Sequence, residues 1–535
     1  MKKRILYFLF SALLATSCQG LTELNRNPTK SPDVEPSLLI TTAQFMPSQG
    51  QDETRYFWIY PGGWVNNWTG EYNMTTYGGG ARINTRLFDR RPWRYMYQQV
   101  IRPIMIAVDR TKDNPDLVNV YAAARLVKAE NFLLLTDYYG DIPYSDVFKV
   151  YYDGTTVDPR YDRQEEIYKN LLKECREAVA SFDTTKPGLE YDLYFDGDVA
   201  KWKKFGASLW LRIAMRLVRV EPELARTETE AAIAAGVMEG NDDTALVRHE
   251  GPRSLDGSSN GYANYMYQSR DPERTDGTSA FQLTQEMVEA LEGDPRVTIL
   301  ARNYLKDGTD ITEKLYEATG VHTGQPAQSY NYSNRLPEIT LPDGTVVTRF
   351  ARYLTASNWV TAPDAPFIHL SYAETEFLRA EAALNGWAAG GTVEEHYCKG
   401  LIAAIKQWEV FGAAAQIPDD AALEALAGQF LAQYITGHDR TDKLEEINKQ
   451  LWILHAMNPV ECWSNIRRTG MPSRFIEFKN LRPGENESDG KRPNRVYYPV
   501  DEQKKNAANY KEALDRMGGK DDWLHPMWWQ NGEYK

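Results

Sequence analysis

Apolar residues recur at helical spacing through most of this chain, and that periodicity restricts the fold more than any other feature. One stripe consists of Ile167, Leu171, Cys175, Ala178 and Phe182, which follow one another at steps of three or four residues. Such steps place all five side chains on one face of a helix. The stripe therefore predicts a helix that buries this face, with Cys175 as an inert thiol in the core.

Further stripes of the same kind predict that helices build most of the protein. They lie at 202–217, 373–387, 397–408 and 444–454, and residues 118–138 indicate a more deeply buried helix. Several helices come in pairs joined by short turns, 371–387 with 393–410 and 421–434 with 442–456. The pairs resemble tetratricopeptide-like hairpins, although no clean period of about 34 residues repeats. We therefore expect a mostly α-helical fold.

The stretch from 241 to 359 has a different character. Gly, Asn, Asp and Pro are frequent there, and long helical stripes are scarce. Within it, two short runs at 338–341 and 345–350 flank Pro342-Asp343-Gly344, which predicts a small β-hairpin. Because loops on a rigid scaffold commonly carry binding residues, we interpret 241–359 as a loop-rich, ligand-facing insertion. The segments on either side, 38–240 and 360–535, are then the helical scaffold.

The first eighteen residues have the pattern of an export signal. Three basic residues at 2–4 precede the apolar run 5–14, which is too short to cross a hydrocarbon core of about 30 Å as a helix. Small residues then lead into Cys18. This order predicts a lipoprotein signal peptide over 1–17, lipid attached to Cys18, and a Pro-rich flexible tether over 18–37. An ordinary secretory signal is the alternative. Acyl chains would anchor the mature protein, which would not span the membrane.

Net charge and the scarcity of metal ligands exclude several functions. Lys and Arg number 61 against 74 Asp and Glu, a net charge of −13, and an acidic chain without a basic run is a poor partner for nucleic acid. Four Cys and seven His form neither a paired CxxC nor an HExxH motif, so no zinc framework is expected. We expect no cofactor, although the many Asp and Asn residues leave a calcium site in the loops open.

One motif has the form of a hydrolase nucleophile. Residues 257–261 match GxSxG around Ser259, but that mechanism needs an apolar strand before the serine, and residues 249–256 do not have a strand pattern. A flexible Gly/Ser loop explains the match, so we expect no catalysis there. A pair of glycosidase carboxylates cannot be recognised among 74 acidic residues.

Aromatic residues are concentrated in one early segment. Residues 56–77 contain eight of them, interleaved with Asn66, Asn67 and Asn73. Flat rings stack on the apolar faces of sugars, while amides and hydroxyls pair with sugar hydroxyls. Trp64, Trp68 and Tyr72 are spaced i, i+4, i+8, however, which equally fits a helix face packed in a core.

Two further groups combine aromatics and amides in irregular sequence, one at 262–268 and one at 328–334, and Trp359 follows Asn358. We expect these groups to converge with part of 56–77 on one face, because the apolar residues of the helical stripes pack against one another. Three tryptophans near the C-terminus, at 523, 528 and 529, are instead expected to pin the tail to the scaffold. The candidate ligand-binding residues are Trp64, Trp68, Tyr72, Tyr77, Tyr262, Tyr265, Tyr330, Tyr332 and Trp359.

Six motifs, read in order, resemble a known family. They are Asn25-Arg26-Asn27-Pro28, Tyr138-Tyr139-Gly140-Asp141-Ile142-Pro143-Tyr144, Tyr161-Asp162-Arg163-Gln164-Glu165-Glu166, Gly197-Asp198-Val199-Ala200-Lys201-Trp202, Phe377-Leu378-Arg379-Ala380-Glu381-Ala382, and Arg467-Arg468-Thr469-Gly470 followed by Arg495-Val496-Tyr497-Tyr498-Pro499. Together they resemble the SusD/RagB family of nutrient-binding outer-membrane lipoproteins, and within it the SusD-like branch with a GD-x-x-K-W motif. The resemblance extends over nearly the whole chain after Cys18.

This resemblance implies a fold and a function. Members of the family are lipoproteins of Gram-negative bacteria with tetratricopeptide-like hairpins and a loop-rich face. They cover a SusC-type TonB-dependent barrel transporter, capture oligosaccharides or in some systems peptides, and are not enzymes. Surface-exported members often carry an acidic cluster after the lipidated cysteine, whereas residues 19–23 contain a single Glu here. We expect an outer-membrane, surface-facing nutrient-binding protein. A scaffold that binds only proteins and a surface glycosidase are the alternatives.

Overall fold

Helices account for most of the chain that the structure describes. This computed structural model describes residues 34–49, 55–79, 90–147, 149, 158–250, 258–268, 281–327, 336–348, 350–479 and 487–534. The α-helices of these ranges, in chain order, are α1 Pro36–Phe45, α2 Arg90–Tyr95, α3 Arg102–Thr111, α4 Val118–Tyr139, α5 Gln164–Ser181, α6 Val199–Met215, α7 Pro222–Gly236, α8 Gly261–Gln268, α9 Gln285–Ala290, α10 Arg296–Leu300, α11 Thr312–Thr319, α12 Tyr372–Leu384, α13 Val393–Lys406, α14 Asp420–Phe430, α15 Arg440–Leu454, α16 Pro459–Thr469, α17 Glu502–Lys505 and α18 Ala507–Arg516.

The strands are short and pair antiparallel. They are β1 Trp68–Thr69, β2 Ile142–Pro143, β3 Tyr161–Asp162, β4 Ala245–Val247, β5 Gln282–Leu283, β6 Ala301–Arg302, β7 Ile339–Thr340, β8 Val346–Val347, β9 Thr355–Ala356 and β10 Phe367–Leu370. Four of them form a sheet in the order β1-β5-β9-β6, and the others pair as β10 with β4, β2 with β3 and β7 with β8. The four-stranded sheet joins the aromatic segment near Trp68 to the loop-rich region.

The predicted hairpins are confirmed, and the sequence shows why their helices begin where they do. α12 packs against α13, and α14 continues through a short π-helical turn before α15 begins. The side chain of Ser371 caps α12, and Thr392 forms a capping box with Glu395 at the start of α13. Asp419 and Asp439 cap α14 and α15 in the same way. Each cap satisfies backbone N–H groups that a helix start leaves unbonded, which fixes the first residue of each helix.

The central helix α4 is buried along nearly its whole length, as its sequence indicated. It packs against α5, and α5 packs against α6. Cys175 of α5 lies fully buried at this contact, and burial raises the pKa of its thiol well above the usual range. The thiol therefore stays protonated, which confirms the prediction of an inert core cysteine.

Arginines that lie off the apolar stripe of the α6 segment are nevertheless buried. Arg212 donates two hydrogen bonds of 2.6 Å to the carboxylate of Glu374 on α12, and Arg216 pairs with Glu461 on α16 at 2.7 Å. Burial of a guanidinium costs free energy unless a carboxylate and further hydrogen bonds compensate it. These pairs connect the 38–240 part of the scaffold to the 360–535 part. The amphipathic pattern alone does not show this contact.

The region from 241 to 359 contains short helices and strands rather than loops alone. The predicted β-hairpin is present, with β7 and β8 joined through a turn at Gly344, where φ is 86°. Its side chains help build a small satellite core, separate from the main one, that consists of Ile311, Leu315, Leu341, Val347 and Ala351. The satellite core fixes α11 against the hairpin.

Both chain ends that the structure describes are tied to the scaffold. Helix α1 begins at Pro36, inside the predicted tether, and packs against α3. Near the other end, Trp523 and Trp529 are buried, and Trp529 Nε1 donates to Asp137 Oδ1 at 3.0 Å, which confirms that this tail is pinned. Among the described residues, none of the helices has the length and apolar character needed to cross a bilayer.

Candidate functional site

At the β6 edge of the four-stranded sheet, the exposed ring of Tyr316 and three half-buried side chains combine aromatic rings with polar groups. We call Tyr304, Tyr316, His322 and Trp359 the aromatic surface. It is built from the loop after β9, which is held to the end of α10. Ser357 donates from N to the Leu300 carbonyl oxygen at 2.9 Å. Trp359 Nε1 donates to the Ile299 carbonyl oxygen at 2.8 Å, which fixes the orientation of the half-buried indole.

Arg302 connects the indole to the neighbouring helix. The β6–β9 pairing places Arg302 opposite Thr355, and its guanidinium carbon lies 5.4 Å from the centre of the Trp359 ring. The same guanidinium donates to Glu313 Oε1 on α11 and to Gln416 Oε1, each at 2.9 Å. A guanidinium beside an indole face gains from the charge distribution of the ring. Arg302 therefore holds three separate chain segments together beneath one surface.

A second pair of rings lies one helical turn beyond Glu313. The side chain of Tyr316 is 45% exposed, and its ring stacks on His322 with centroids 4.5 Å apart and planes 26° from parallel. Gly320 at the end of α11 has a φ of 71°, a left-handed conformation that glycine adopts without steric cost. This reversal brings His322 back onto Tyr316.

The electrostatics of this surface favour an uncharged partner. Partial burial lowers the pKa of His322 below its ordinary 6.5, nearby Arg302 lowers it further, and Glu313 opposes the shift. The imidazole is therefore neutral at pH 7, with one donor and one acceptor nitrogen. Beside it, Arg302 is already paired with Glu313. Flat rings with neutral hydrogen-bonding groups suit a ligand that offers apolar C–H faces and hydroxyls.

Four of the candidate ligand-binding rings lie in the main core. Trp64 is fully buried among Tyr60, Trp463 and Trp523, with ring centroids 5.6, 4.8 and 5.4 Å away. Trp68 is buried as well, and its Nε1 donates to the Ala456 carbonyl oxygen at 2.8 Å. Both rings therefore pack in the core, but not on one helix face as their spacing predicted, because Trp68 lies in strand β1.

Tyr262 and Tyr265 of α8 are also buried, but they do meet the early aromatic segment. Tyr262 stacks on Phe57 at 6.0 Å and on Phe367 at 4.7 Å, while Tyr265 lies 5.6 Å from Phe281. The 262–268 group and part of 56–77 thus come together as expected, although in the core and not on an open face.

The remaining candidates lie at the surface or outside the described residues. Tyr72 is 38% exposed and Tyr77 is half-buried, both just after β1 at the opposite edge of the sheet from Arg302. Three steps between strands separate the two edges, roughly 14 Å at the usual strand spacing. Tyr330 and Tyr332 fall outside the described residues, as does Cys18.

Sequence reasoning missed Arg302, Tyr304, Tyr316 and His322. Their signal is weak, since Tyr316 stands alone in a short helix and Arg302 looks like an ordinary charged residue. The β6–β9 pairing brings Arg302 beside Trp359, and the turn at Gly320 brings His322 onto Tyr316.

The GxSxG match lacks the partners that a nucleophile needs within the described chain. Ser259 is buried, and its Oγ accepts a hydrogen bond from Asn264 Nδ2 at 3.3 Å. The nearest histidine by sequence, His249, instead contacts Ser48 Oγ at 3.0 Å and the Ser258 carbonyl oxygen at 3.3 Å. A helix, α8, follows the motif, but residues 251–257 before it lie outside the described ranges. A serine without a bonded base is not activated.

One buried group has a composition that could ligate a metal. Ligand atoms of Glu374, His455 and Glu461 lie within 4.8 Å of one another. Both carboxylates are already paired, with Arg212 at 2.6 Å and Arg216 at 2.7 Å. Two guanidinium charges at these distances repel a cation and neutralise the anions that would bind it, so these residues fit an ion-pair network better than a metal site.

Comparison with protein families identifies the family of this chain. The SusD-like family model, described as starch-binding and associating with the outer membrane, matches residues 30–499. The protein belongs to the SusD-like family. No protein with a curated description matches the chain.

Solved structures of SusD-like proteins share the fold over nearly the whole chain. A chitin-binding protein has a TM-score of 0.76 at 30% identity, covering 93% of this chain and 100% of its own. A SusD-like protein described as Bacteroidetes AC2a has a TM-score of 0.82 at 28% identity with the same coverage. A chitin-binding SusD homologue from Flavobacterium johnsoniae, at 21% identity and a TM-score of 0.71, covers 93% of this chain and 99% of its own, and shows the shared fold.

Proposed function

We propose that this SusD-like protein captures an oligosaccharide on the aromatic surface and delivers it to a SusC-type TonB-dependent transporter in the outer membrane. The observation that carries the proposal is the combination of an exposed Tyr316 ring, stacked on His322, with the oriented indole of Trp359. Rings that are held rigidly lose little entropy on binding and can stack on successive sugars. A peptide is the second ligand class, and no enzymatic role is proposed.

The chemistry of the ligand follows from the surface and from one relative. The aromatic surface offers neutral rings, and the neighbouring guanidinium of Arg302 is occupied by Glu313 and Gln416. A neutral glycan suits this arrangement better than an anionic one. The solved structure at 30% identity is described as a chitin-binding protein, so oligomers of N-acetylglucosamine are the first ligands to test.

Anchoring and delivery form the second part of the proposal. The signal pattern before Cys18 supports cleavage and lipidation at that residue, which would attach the protein to the outer membrane by acyl chains. The described family association with the outer membrane supports the same location. We place the protein on the cell surface, where a large glycan first arrives, with the transporter as its protein partner.

A panel of oligosaccharides and peptides tests the proposal, with the protein lacking residues 1–17. We expect binding to one or more neutral oligosaccharides, and Tyr316→Ala should weaken that binding. Tyr191→Ala is a matched control, since Tyr191 is 60% exposed and its carbonyl oxygen accepts from Thr41 of α1, in another part of the fold. Binding of peptides alone would overturn the glycan assignment and favour a protein-binding scaffold. Turnover of a bound glycan would favour the glycosidase alternative.

A further inference from the structure

A cavity of about 330 Å³ lies between the start of α5, the end of α18 and the C-terminal tail. Three of the six family motifs contribute to its lining, through Gly140-Asp141, Arg163-Gln164-Glu165 and Arg495. These segments are far apart in the chain and meet only in the folded protein. The volume lies in the range of small-ligand pockets, and none of the four residues of the aromatic surface lines it.

Hydrogen bonds hold the walls of this cavity in place. The Asp141 carboxylate accepts from the backbone N–H of Gln164 at 2.9 Å and from Arg516 Nε at 2.7 Å. The side-chain oxygen of Gln164 accepts from the backbone N–H of Trp528 at 2.8 Å, which fixes the tail against the start of α5. Because these walls are bonded to one another, the cavity is formed before a ligand arrives and little conformational entropy is lost on binding.

Most of the charged side chains around the cavity belong to ion pairs. The pairs are Asp141 with Arg516, Glu165 with Lys169, and Arg495 with Asp521. The exposed side chain of Arg163 is different, because it has no ion-pair or hydrogen-bond partner among the described residues. The lining therefore has one uncompensated positive charge, which favours a ligand with one negative charge.

The other unbonded groups of the lining suit a sugar ring. The indole of Trp528 is half-buried, and the side chains of His525 and Asn531 have no hydrogen-bond partner in the described ranges. Partial burial and nearby Arg495 lower the pKa of His525 below its ordinary 6.5, against the opposing effect of two carboxylates. The imidazole is therefore neutral at pH 7, with one donor and one acceptor nitrogen. A flat ring beside an amide and a neutral imidazole offers both stacking and hydrogen bonds to hydroxyls.

We propose that this cavity binds an acidic sugar, a hexuronate residue of a glycan. The carboxylate of the sugar pairs with Arg163, and one face of its ring stacks on Trp528. Its hydroxyls form hydrogen bonds with His525 and Asn531. A guanidinium pairs with a carboxylate through two parallel hydrogen bonds, so the site selects an acidic sugar over a neutral one. The inference rests on the proposed glycan-binding function for its choice of a sugar, and it adds a second site that is separate from the aromatic surface.

NMR titration with a matched pair of monosaccharides tests the inference. Methyl β-D-glucuronide and methyl β-D-glucoside differ only in the carboxylate that replaces a hydroxymethyl group, and sodium acetate presents a carboxylate without a sugar. The full chain lacking residues 1–17 is compared with Arg163→Gln, which removes the charge, and with Trp528→Leu, which removes the ring. Arg248→Gln is the matched control, because Arg248 is another exposed arginine without a described side-chain partner and does not line the cavity.

We expect the wild type to bind the glucuronide about tenfold more tightly than the glucoside, the effect of one hydrogen bond to a charged group. Arg163→Gln should abolish this preference, Trp528→Leu should weaken the binding of both sugars, and Arg248→Gln should behave as the wild type. If Trp528→Leu does not fold, Arg163→Gln decides, because the Arg163 side chain makes no described contact that folding needs. Equal affinity of the wild type for the two sugars, an unchanged preference in Arg163→Gln, or acetate binding as tight as glucuronide binding would overturn the inference.

The outcomes also separate this inference from the proposed function. Glucuronide binding that is weakened by Tyr316→Ala would place the acidic sugar on the aromatic surface and overturn the second site. Binding of a neutral oligosaccharide without a preference for the glucuronide refutes the acidic-sugar cavity and leaves the proposed function standing. Absence of binding to every glycan and monosaccharide refutes both.

Discussion

His249 links the N-terminal part of the fold to the start of the loop-rich region, and its burial makes stability depend on pH. Its Nε2 lies 3.0 Å from Ser48 Oγ, its Nδ1 lies 3.3 Å from the Ser258 carbonyl oxygen, and its ring is 5.1 Å from Phe45. Burial lowers the pKa of His249 from its ordinary 6.5 to about 4. We predict that acidification destabilises the wild type more than a His249→Gln variant.

The sign follows from which state binds the proton. Between about pH 6.5 and about pH 4, the unfolded chain takes up a proton at His249 that the folded protein excludes, so falling pH favours unfolding. With these two pKa values, the group contributes almost nothing at about pH 7.5. At about pH 4.5 it lowers the free energy of unfolding by roughly 2–3 kcal/mol. The full destabilisation, about 3 kcal/mol, is reached only below pH 4.

Urea unfolding followed by tryptophan fluorescence, at about pH 7.5 and about pH 4.5, measures this difference. The variant loses the two contacts of the ring at both pH values, so the informative quantity is the change in unfolding free energy between them. That change should be roughly 2–3 kcal/mol smaller in His249→Gln than in the wild type. His438→Gln, at an exposed histidine of the same chain, should reproduce the wild-type change.

Equal pH dependence in the wild type and His249→Gln would refute the reasoning. It would mean that His249 is as accessible to protons in the folded protein as in the unfolded chain. A larger loss of unfolding free energy on acidification in the variant than in the wild type would reverse the predicted sign. It would mean that the protonated imidazole stabilises the folded protein.

The remaining predictions concern the scaffold, the anchor and the serine motif. Glu381→Gln should lower the free energy of unfolding by about 3–5 kcal/mol in urea titrations. In the wild type Arg468 donates to Glu381 at 2.7 Å, and the substitution leaves Arg468 as an unpaired buried cation. An unchanged urea midpoint would contradict this prediction. Cys18→Ala should release the protein from the membrane fraction with an unchanged circular dichroism spectrum, and retention after a high-salt wash in cells lacking the transporter would refute lipid anchoring. Ser259→Ala should leave glycan affinity unchanged, and an esterase activity that disappears in this variant would contradict a binding role.

The helices were predictable because their apolar positions repeat at helical spacing and their ends carry capping residues. The pairs at 371–387 with 393–410 and 421–434 with 442–456 correspond to α12–α13 and α14–α15. Their boundaries shift by a few residues, since Ser371, Thr392 and the aspartate caps decide the first turn. Periodicity gave no information about Arg212 and Arg216, whose burial depends on carboxylates far away in the sequence.

The candidate site was less predictable than the scaffold. The i, i+4 spacing of Trp64 and Trp68 predicted a shared helix face, but Trp68 lies in strand β1, and only the contacts with Trp463 and Ala456 show that both rings belong to the core. Trp359 was identified because it stands in irregular sequence beside an amide. Its neighbour Arg302, and Glu313 to which Arg302 donates, come from segments about 45 to 60 residues away, brought together by strand pairing and helix docking that local sequence does not encode.

The affinity of Trp359→Ala for an oligosaccharide that the wild type binds tests the central claim most directly. If the aromatic surface is the ligand site, calorimetry should show a loss of about thirtyfold, the effect of roughly 2 kcal/mol from a central stacking ring. The urea midpoint should stay close to that of the wild type, because the indole is only half-buried. Trp64→Ala should instead lose about 3–5 kcal/mol of stability, as a fully buried ring does. Unchanged affinity in a folded Trp359→Ala protein would contradict the assignment of the aromatic surface as the glycan-binding site.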